Sequence, residues 1–192
     1  MIIIMLVTIN ILINNMKRII LNLILISIFQ IGYSQIDYSI KAETGFLKYQ
    51  FNTVQVDPGP NWKGYNLDEE NGFDVNIING FDFNIINGFD FNNKLFAGIG
   101  LGYLNFEGVN GLSVFSDFEY LPLKTRLTPL INLKIGYSHI WNQYNNGTGT
   151  GLGEFCIGLN YRLTETMDIY VKSGFTMTQQ SLLIPIRLGI RF

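Results

Sequence analysis

The stretch NGFDVNIINGFDFNIINGFDFNN, Asn71 to Asn93, reads nearly the same eight residues three times. Its odd positions are Phe73, Val75, Ile77, Asn79, Phe81, Phe83, Ile85, Asn87, Phe89 and Phe91. Its even positions are Asp74, Asn76, Ile78, Gly80, Asp82, Asn84, Ile86, Gly88, Asp90 and Asn92. Strand side chains alternate between two faces. A repeat of eight is even, so each added copy keeps every side chain on its own face, whereas a step of seven would turn the strand inside out. The pattern therefore reads as a tandem duplication within one β-strand, and not as a solenoid, because one strand alone carries it. Such a strand would be about twice the ~10 residues that cross a bilayer. The sequence predicts that it protrudes, or bends at Asn79-Gly80 or Asn87-Gly88. Asn-Gly also offers a small extra hairpin.

Outward from this stretch the period of two recurs. In Phe155 to Arg162 one face is Phe, Ile, Leu, Tyr and the other Cys, Gly, Asn, Arg. Ile184 to Phe192 and Leu133 to Ser138 alternate in the same way. Eight strands are predicted: Asp37–Phe51, Gly72–Phe91, Leu95–Phe106, Leu112–Leu123, Pro129–Trp141, Gly153–Leu163, Met167–Thr178 and Leu183–Phe192. Tight connections at Asn92–Lys94, Lys124–Thr128 and Thr164–Thr166 share one side with both termini. The segments Asn52–Asn71 and Asn142–Leu152 form long loops on the other side.

The 192 residues suit one domain. They are 47% hydrophobic and 15% charged, with 14% aromatics and 20 Gly, which is low in charge for a soluble domain. The formal charge of -2 gives no footprint for nucleic acid. The single cysteine, Cys156, excludes an internal disulfide and a cysteine metal cluster.

Residues 1–34 read as a targeting segment. Met16-Lys17-Arg18 is a positive start, Ile20 to Phe29 an apolar run, and Gly32-Tyr33-Ser34 ends in a small residue. That is the layout of a secretory signal peptide cleaved after Ser34, with Met16 as the expected true start. The competing reading is a membrane anchor from Met1 to Ile31. Lys17 and Arg18 in its middle would cost about 2.5–3.5 kcal/mol each on insertion scales. They are the only charges in this segment, so residues 35–192 carry 11 Lys+Arg against 15 Asp+Glu.

Alternation fits a soluble lipocalin-like barrel with an oily interior, or a membrane barrel with an oily exterior and a polar interior. Charges of both signs on the polar face favour the second: Lys41, Glu43, Asp117, Glu119, Lys134, Glu154, Arg162, Asp168, Lys172, Arg187 and Arg191. An eight-stranded lumen is filled by side chains, where such charges can pair. Gly98, Gly100, Gly102, Gly136, Gly158, Gly174 and Gly189 make room on that face. Tyr38, Phe46, Tyr103, Tyr120, Trp141, Tyr161 and Phe192 stand near strand ends, as interfacial girdles do.

The signal ending at Ser34-Gln35, the hairpin FNNKLFAGIGLGY (Phe91 to Tyr103), the strand LKIGYS (Leu133 to Ser138) and the last strand ending in Phe192 give the resemblance. From residue 35 onward the chain resembles the small outer-membrane β-barrel proteins of OmpA/OmpX-like, "porin family" type. The resemblance implies an eight-stranded antiparallel up-and-down transmembrane β-barrel in the bacterial outer membrane, surrounded by its lipid and monomeric. It also implies that the barrel-assembly machinery reads the terminal strand ending in Phe192. It says nothing about activity.

No catalytic, cofactor or metal site emerges. The only histidine, His139, falls on the oily face with Ile135, Tyr137 and Trp141, while neighbouring Ser138 points the other way. The pair therefore cannot act together in a regular strand. Lipid-A deacylase-like barrels use a Ser, a His and a Glu together, and no matching spacing is visible. Asp74, Asp82 and Asp90 are roughly 26 Å apart per step along a strand and cannot share one ion. Asp57, Asp68, Glu69 and Glu70 in the long loop could bind a divalent cation weakly. The expected protein is a structural or interaction barrel, not an enzyme, with a plugged polar lumen and partners at its two long loops. A narrow passive channel and a soluble lipocalin-like binder are the alternatives.

Overall fold

The computed structural model of the chain describes residues 36–52, 79–106, 109–141, 148–179 and 181–192. The expected signal segment, Met16 and Ser34, the acidic loop residues Asp57, Asp68, Glu69 and Glu70, and Asp74 all lie outside them.

Eight strands form: β1 (Ile36–Asn52), β2 (Gly80–Phe91), β3 (Leu95–Phe106), β4 (Val109–Tyr120), β5 (Leu127–Ile140), β6 (Thr148–Arg162), β7 (Asp168–Thr178) and β8 (Ser181–Arg191). Each pairs antiparallel with its sequence neighbours, and β1 pairs with β8, closing the barrel. The seam runs to the chain end. Ile40 and Phe192 exchange both backbone hydrogen bonds, at 3.0 and 2.9 Å. Closure leaves no sheet edge.

Several expected boundaries are corrected. Asn87-Gly88 neither bends nor turns. Asn87 pairs with Ile40 and Ile99, and Gly88 with Ser39 and Gly98, in mid-ladder. Gly88 is there for space: a Cβ would stand 2.6 Å from the Gly98 Cα and 2.7 Å from the Phe96 ring. The side chain of Asn87 points outward and accepts a hydrogen bond from the Tyr38 hydroxyl at 2.8 Å. The described β2 begins at Gly80, and the hairpin turns at Asn92 and Asn93, both with φ near +55°. Asparagine tolerates that left-handed region better than most residues.

β4 ends at Tyr120, earlier than expected, and the connection runs over 121–126. Pro122 has no N–H to continue the ladder, and the Leu121 N–H is already bound to the Lys94 carbonyl at 2.7 Å. β6 begins at Thr148, so the expected loop Asn142–Leu152 loses its second half to the sheet. Thr148 to Leu152 pair with Gly136 to Ile140. Their glycines imitate a flexible loop in composition while keeping the period of two. The β7–β8 ladder skips Ile184 and Pro185, where proline again lacks a donor.

The oily face is outward. Ile99, Leu101, Ile157 and Leu188 are 61–67% exposed. Tyr38, Phe46, Tyr103, Tyr120, Trp141 and Phe192 are exposed as well, and Tyr161 is half-buried. A water-soluble barrel would bury these groups, whereas a bilayer requires them outside.

Candidate functional site: the charged lumen

Charged side chains fill the centre of the barrel. Among the described residues, five cations (Lys41, Lys134, Lys172, Arg187 and Arg191) are buried with six carboxylates (Glu43, Asp82, Asp90, Asp117, Glu119 and Glu154). The period of two places them there, because each sits at an inward position of its strand.

Glu43 is the hub. One carboxylate oxygen accepts from Lys172 at 2.5 Å and from the Tyr170 hydroxyl at 2.8 Å. The other pairs with Lys134. Lys41 reaches Asp117 at 2.6 Å and Glu119 at 2.8 Å, with Glu43 at 4.0 Å. Asn132 ties the group together, donating to Asp117 at 2.6 Å and accepting from Lys172 at 2.9 Å. Aromatic rings supply further contact. Lys41 lies 4.5 Å from the Phe96 ring centre and Lys134 4.7 Å from that of Phe115, within cation–π range.

Two arginines extend the network. Arg187 pairs with Asp82 and with Glu154, whose Oε1 accepts from its Nε at 3.0 Å. Thr176 also donates to Glu154, at 2.7 Å. Arg191 joins Asp90 at 3.1 Å to Glu119. The repeat aspartates Asp82 and Asp90 thus face arginines, one each, and serve the lumen. Arg162 and Asp168 also pair, at 3.6 Å, but at a more exposed rim position.

Apolar clusters close both ends of this polar centre. Leu47, Leu104, Phe106, Ile140 and Leu183 pack together away from the termini. Leu121, Leu130 and Tyr170 pack at the short-turn end. An internal cavity bordered by Asp82, Ser113, Thr178 and Arg187 holds about 10 Å³, space for a single water. Ion pairs and these apolar clusters fill the lumen among the described residues.

His139 is half-buried on the outer face, with its ring 5.2 Å from that of Trp141. Ser138 points into the lumen and bonds to the Thr178 hydroxyl at 2.5 Å. The two neighbours face opposite ways, as alternation requires. Cys156 is buried and unpaired on the inner face. Sequence reasoning identified nine of these eleven charges, but it left Asp82 and Asp90 out of the set and missed the place of Tyr170, Phe96 and Phe115 among them. Their inward positions, even in β3 and β7 and odd in β4, were the available signal.

No protein-family model matches the chain, and no curated protein matches it in sequence. Solved structures match it in shape. Neisserial surface protein A is 10% identical with a TM-score of 0.56, over 82% of this chain and 97% of that one. The N-terminal β-barrel domain of Pseudomonas aeruginosa OprF is 13% identical with a TM-score of 0.47, over 82% and 100%. The outer membrane enzyme PagL is 12% identical with a TM-score of 0.45, over 80% and 98%. Identities this low speak to fold and not to activity. The chain has the fold of the small eight-stranded outer-membrane β-barrels.

Proposed function

We propose that the protein is an integral outer-membrane barrel of structural or interaction type, a monomer that neither conducts nor catalyses. The observation that supports this reading best is the pairing of an apolar exterior with a lumen sealed by ion pairs and two apolar clusters. Its contacts would be membrane lipid around the belt and extracellular partners at the long segments expected at Asn52–Asn71 and Asn142–Leu152, the second shortened by β6 from Thr148. Phe192 would be the residue presented to the barrel-assembly machinery. The outward His139, turned away from Ser138, supports the non-enzyme reading.

Planar bilayer recording of the refolded mature chain tests it. The expected result is incorporation without steady conductance. Stable open-channel steps would replace the plugged barrel with the narrow channel. A lipid-deacylation assay on the same preparation is expected to be blank. Activity lost on His139→Ala would make it an enzyme.

A further inference from the structure

The short-turn end carries three cations, Lys94, Lys124 and Arg126, the first half-buried and the other two exposed. The Leu121 N–H bonds to the Lys94 carbonyl at 2.7 Å, which sets the β2–β3 turn beside the 121–126 connection holding Lys124 and Arg126. Arg126 is then docked onto the end of β6. Its carbonyl accepts from the Arg162 N–H at 2.8 Å, and its Nε donates to the Arg162 carbonyl at 3.2 Å. Its guanidinium lies 5.0 Å from the centre of the outward Tyr161 ring. Held by the ring and by Nε, Arg126 has terminal amines with no hydrogen-bond partner among the described residues, a planar fork suited to an oxyanion.

Asp168 is taken by Arg162 at 3.6 Å. Glu165 sits in the 163–166 bend, and Asp37 stands opposite Asp90 at the start of β1, on the β2 side of the Lys94 turn. No described carboxylate forms an ion pair with Lys94, Lys124 or Arg126. Apolar residues flank every cation: Leu95 is 52% exposed, Leu123 50% and Leu127 54%. The patch thus lies one residue from the belt that meets acyl chains, at head-group depth.

We infer that Lys94, Lys124 and Arg126 bind the phosphate head groups of anionic lipids in the leaflet that meets the short-turn end. The inference rests on the membrane-barrel reading. Cations beside an apolar belt gain from an anionic surface, and Arg126 adds a fixed, two-point donor where lysines offer point charges.

The test uses the mature chain refolded into vesicles of phosphatidylcholine, with or without phosphatidylglycerol. The readout is the temperature at which the fast-migrating folded gel band is lost. The chain is expected to fold in both lipids, with phosphatidylglycerol raising that temperature. Lys94→Gln/Lys124→Gln/Arg126→Gln is expected to keep the phosphatidylcholine value and lose the rise. Arg126→Lys should lose part of it. Lys48→Gln, at the opposite end of β1, should keep all of it. No rise in the parent chain, or an undiminished rise in the triple variant, overturns the inference. So does an equal rise from inorganic phosphate in phosphatidylcholine alone, which would make the ligand a free anion. Failure to enter phosphatidylcholine at all would instead contradict the membrane barrel itself.

Discussion

The two faces of β2 are written in the same repeat but obey different rules. Outward, Phe81, Phe83, Ile85 and Phe89 are 43–50% exposed, with Phe89 edge-on to the Tyr38 ring at 5.9 Å. Inward, Asp82 and Asp90 each face one arginine, and Asn84 lies beside Asp82 at 3.3 Å. Bilayer is a solvent that accepts any apolar side chain, whereas an enclosed lumen accepts only a side chain whose charge and hydrogen bonds are matched. Parity therefore constrains the repeat more tightly than the identity of any outward residue.

Changing the parity of β2 breaks that contrast most severely. Deleting Asn79 to Ile86, a full eight residues, puts Asp74 in the place of Asp82 and leaves both faces chemically as they were. The unheated gel band of the folded barrel is expected to persist. Deleting the seven residues Asn79 to Ile85 turns the upstream part of β2 over, aiming Asp74 outward and Phe73 inward. That variant is expected to give no folded band.

Point substitutions sharpen the comparison. Glu43→Gln leaves Lys134 and Lys172 without their shared carboxylate. Breaking a buried pair from one side costs about 3–5 kcal/mol, to be read from urea unfolding in lipid vesicles. On the outer face, Leu101→Arg at mid-strand should cost about 2–4 kcal/mol by the same assay, the range for a cation near the midplane. At the rim, Asp168→Asn removes the carboxylate of a partly exposed pair. There the loss is expected to stay within about 1 kcal/mol. Equal costs for Glu43→Gln and Asp168→Asn would mean that the lumen is wet.

Strand number, pairing order and facing were legible in the sequence because alternation is written residue by residue. Leu95–Phe106 was read to both ends, since Asn92-Asn93 marks one turn and the glycine series marks one face. Boundaries failed where composition and period disagree, as at Thr148 to Leu152, whose glycines suggest a loop while their parity continues β6. Most of the lumen charges were legible, but Asp82 and Asp90 were not counted among them and the partners were not legible. Pairing Arg187 with Asp82 joins residues 105 apart in sequence, across a seam that exists only after closure. The aromatic floor under Lys41 and Lys134 was hidden for the same reason.

The central claim is that the apolar face looks out into lipid. A tryptophan placed at Leu101, with Trp62 and Trp141 changed to Phe, tests it most directly in vesicles containing brominated lipid. Strong quenching of Leu101→Trp fluorescence is the result this account predicts. Unquenched emission from a folded, water-soluble chain would contradict it and put the oily face inside.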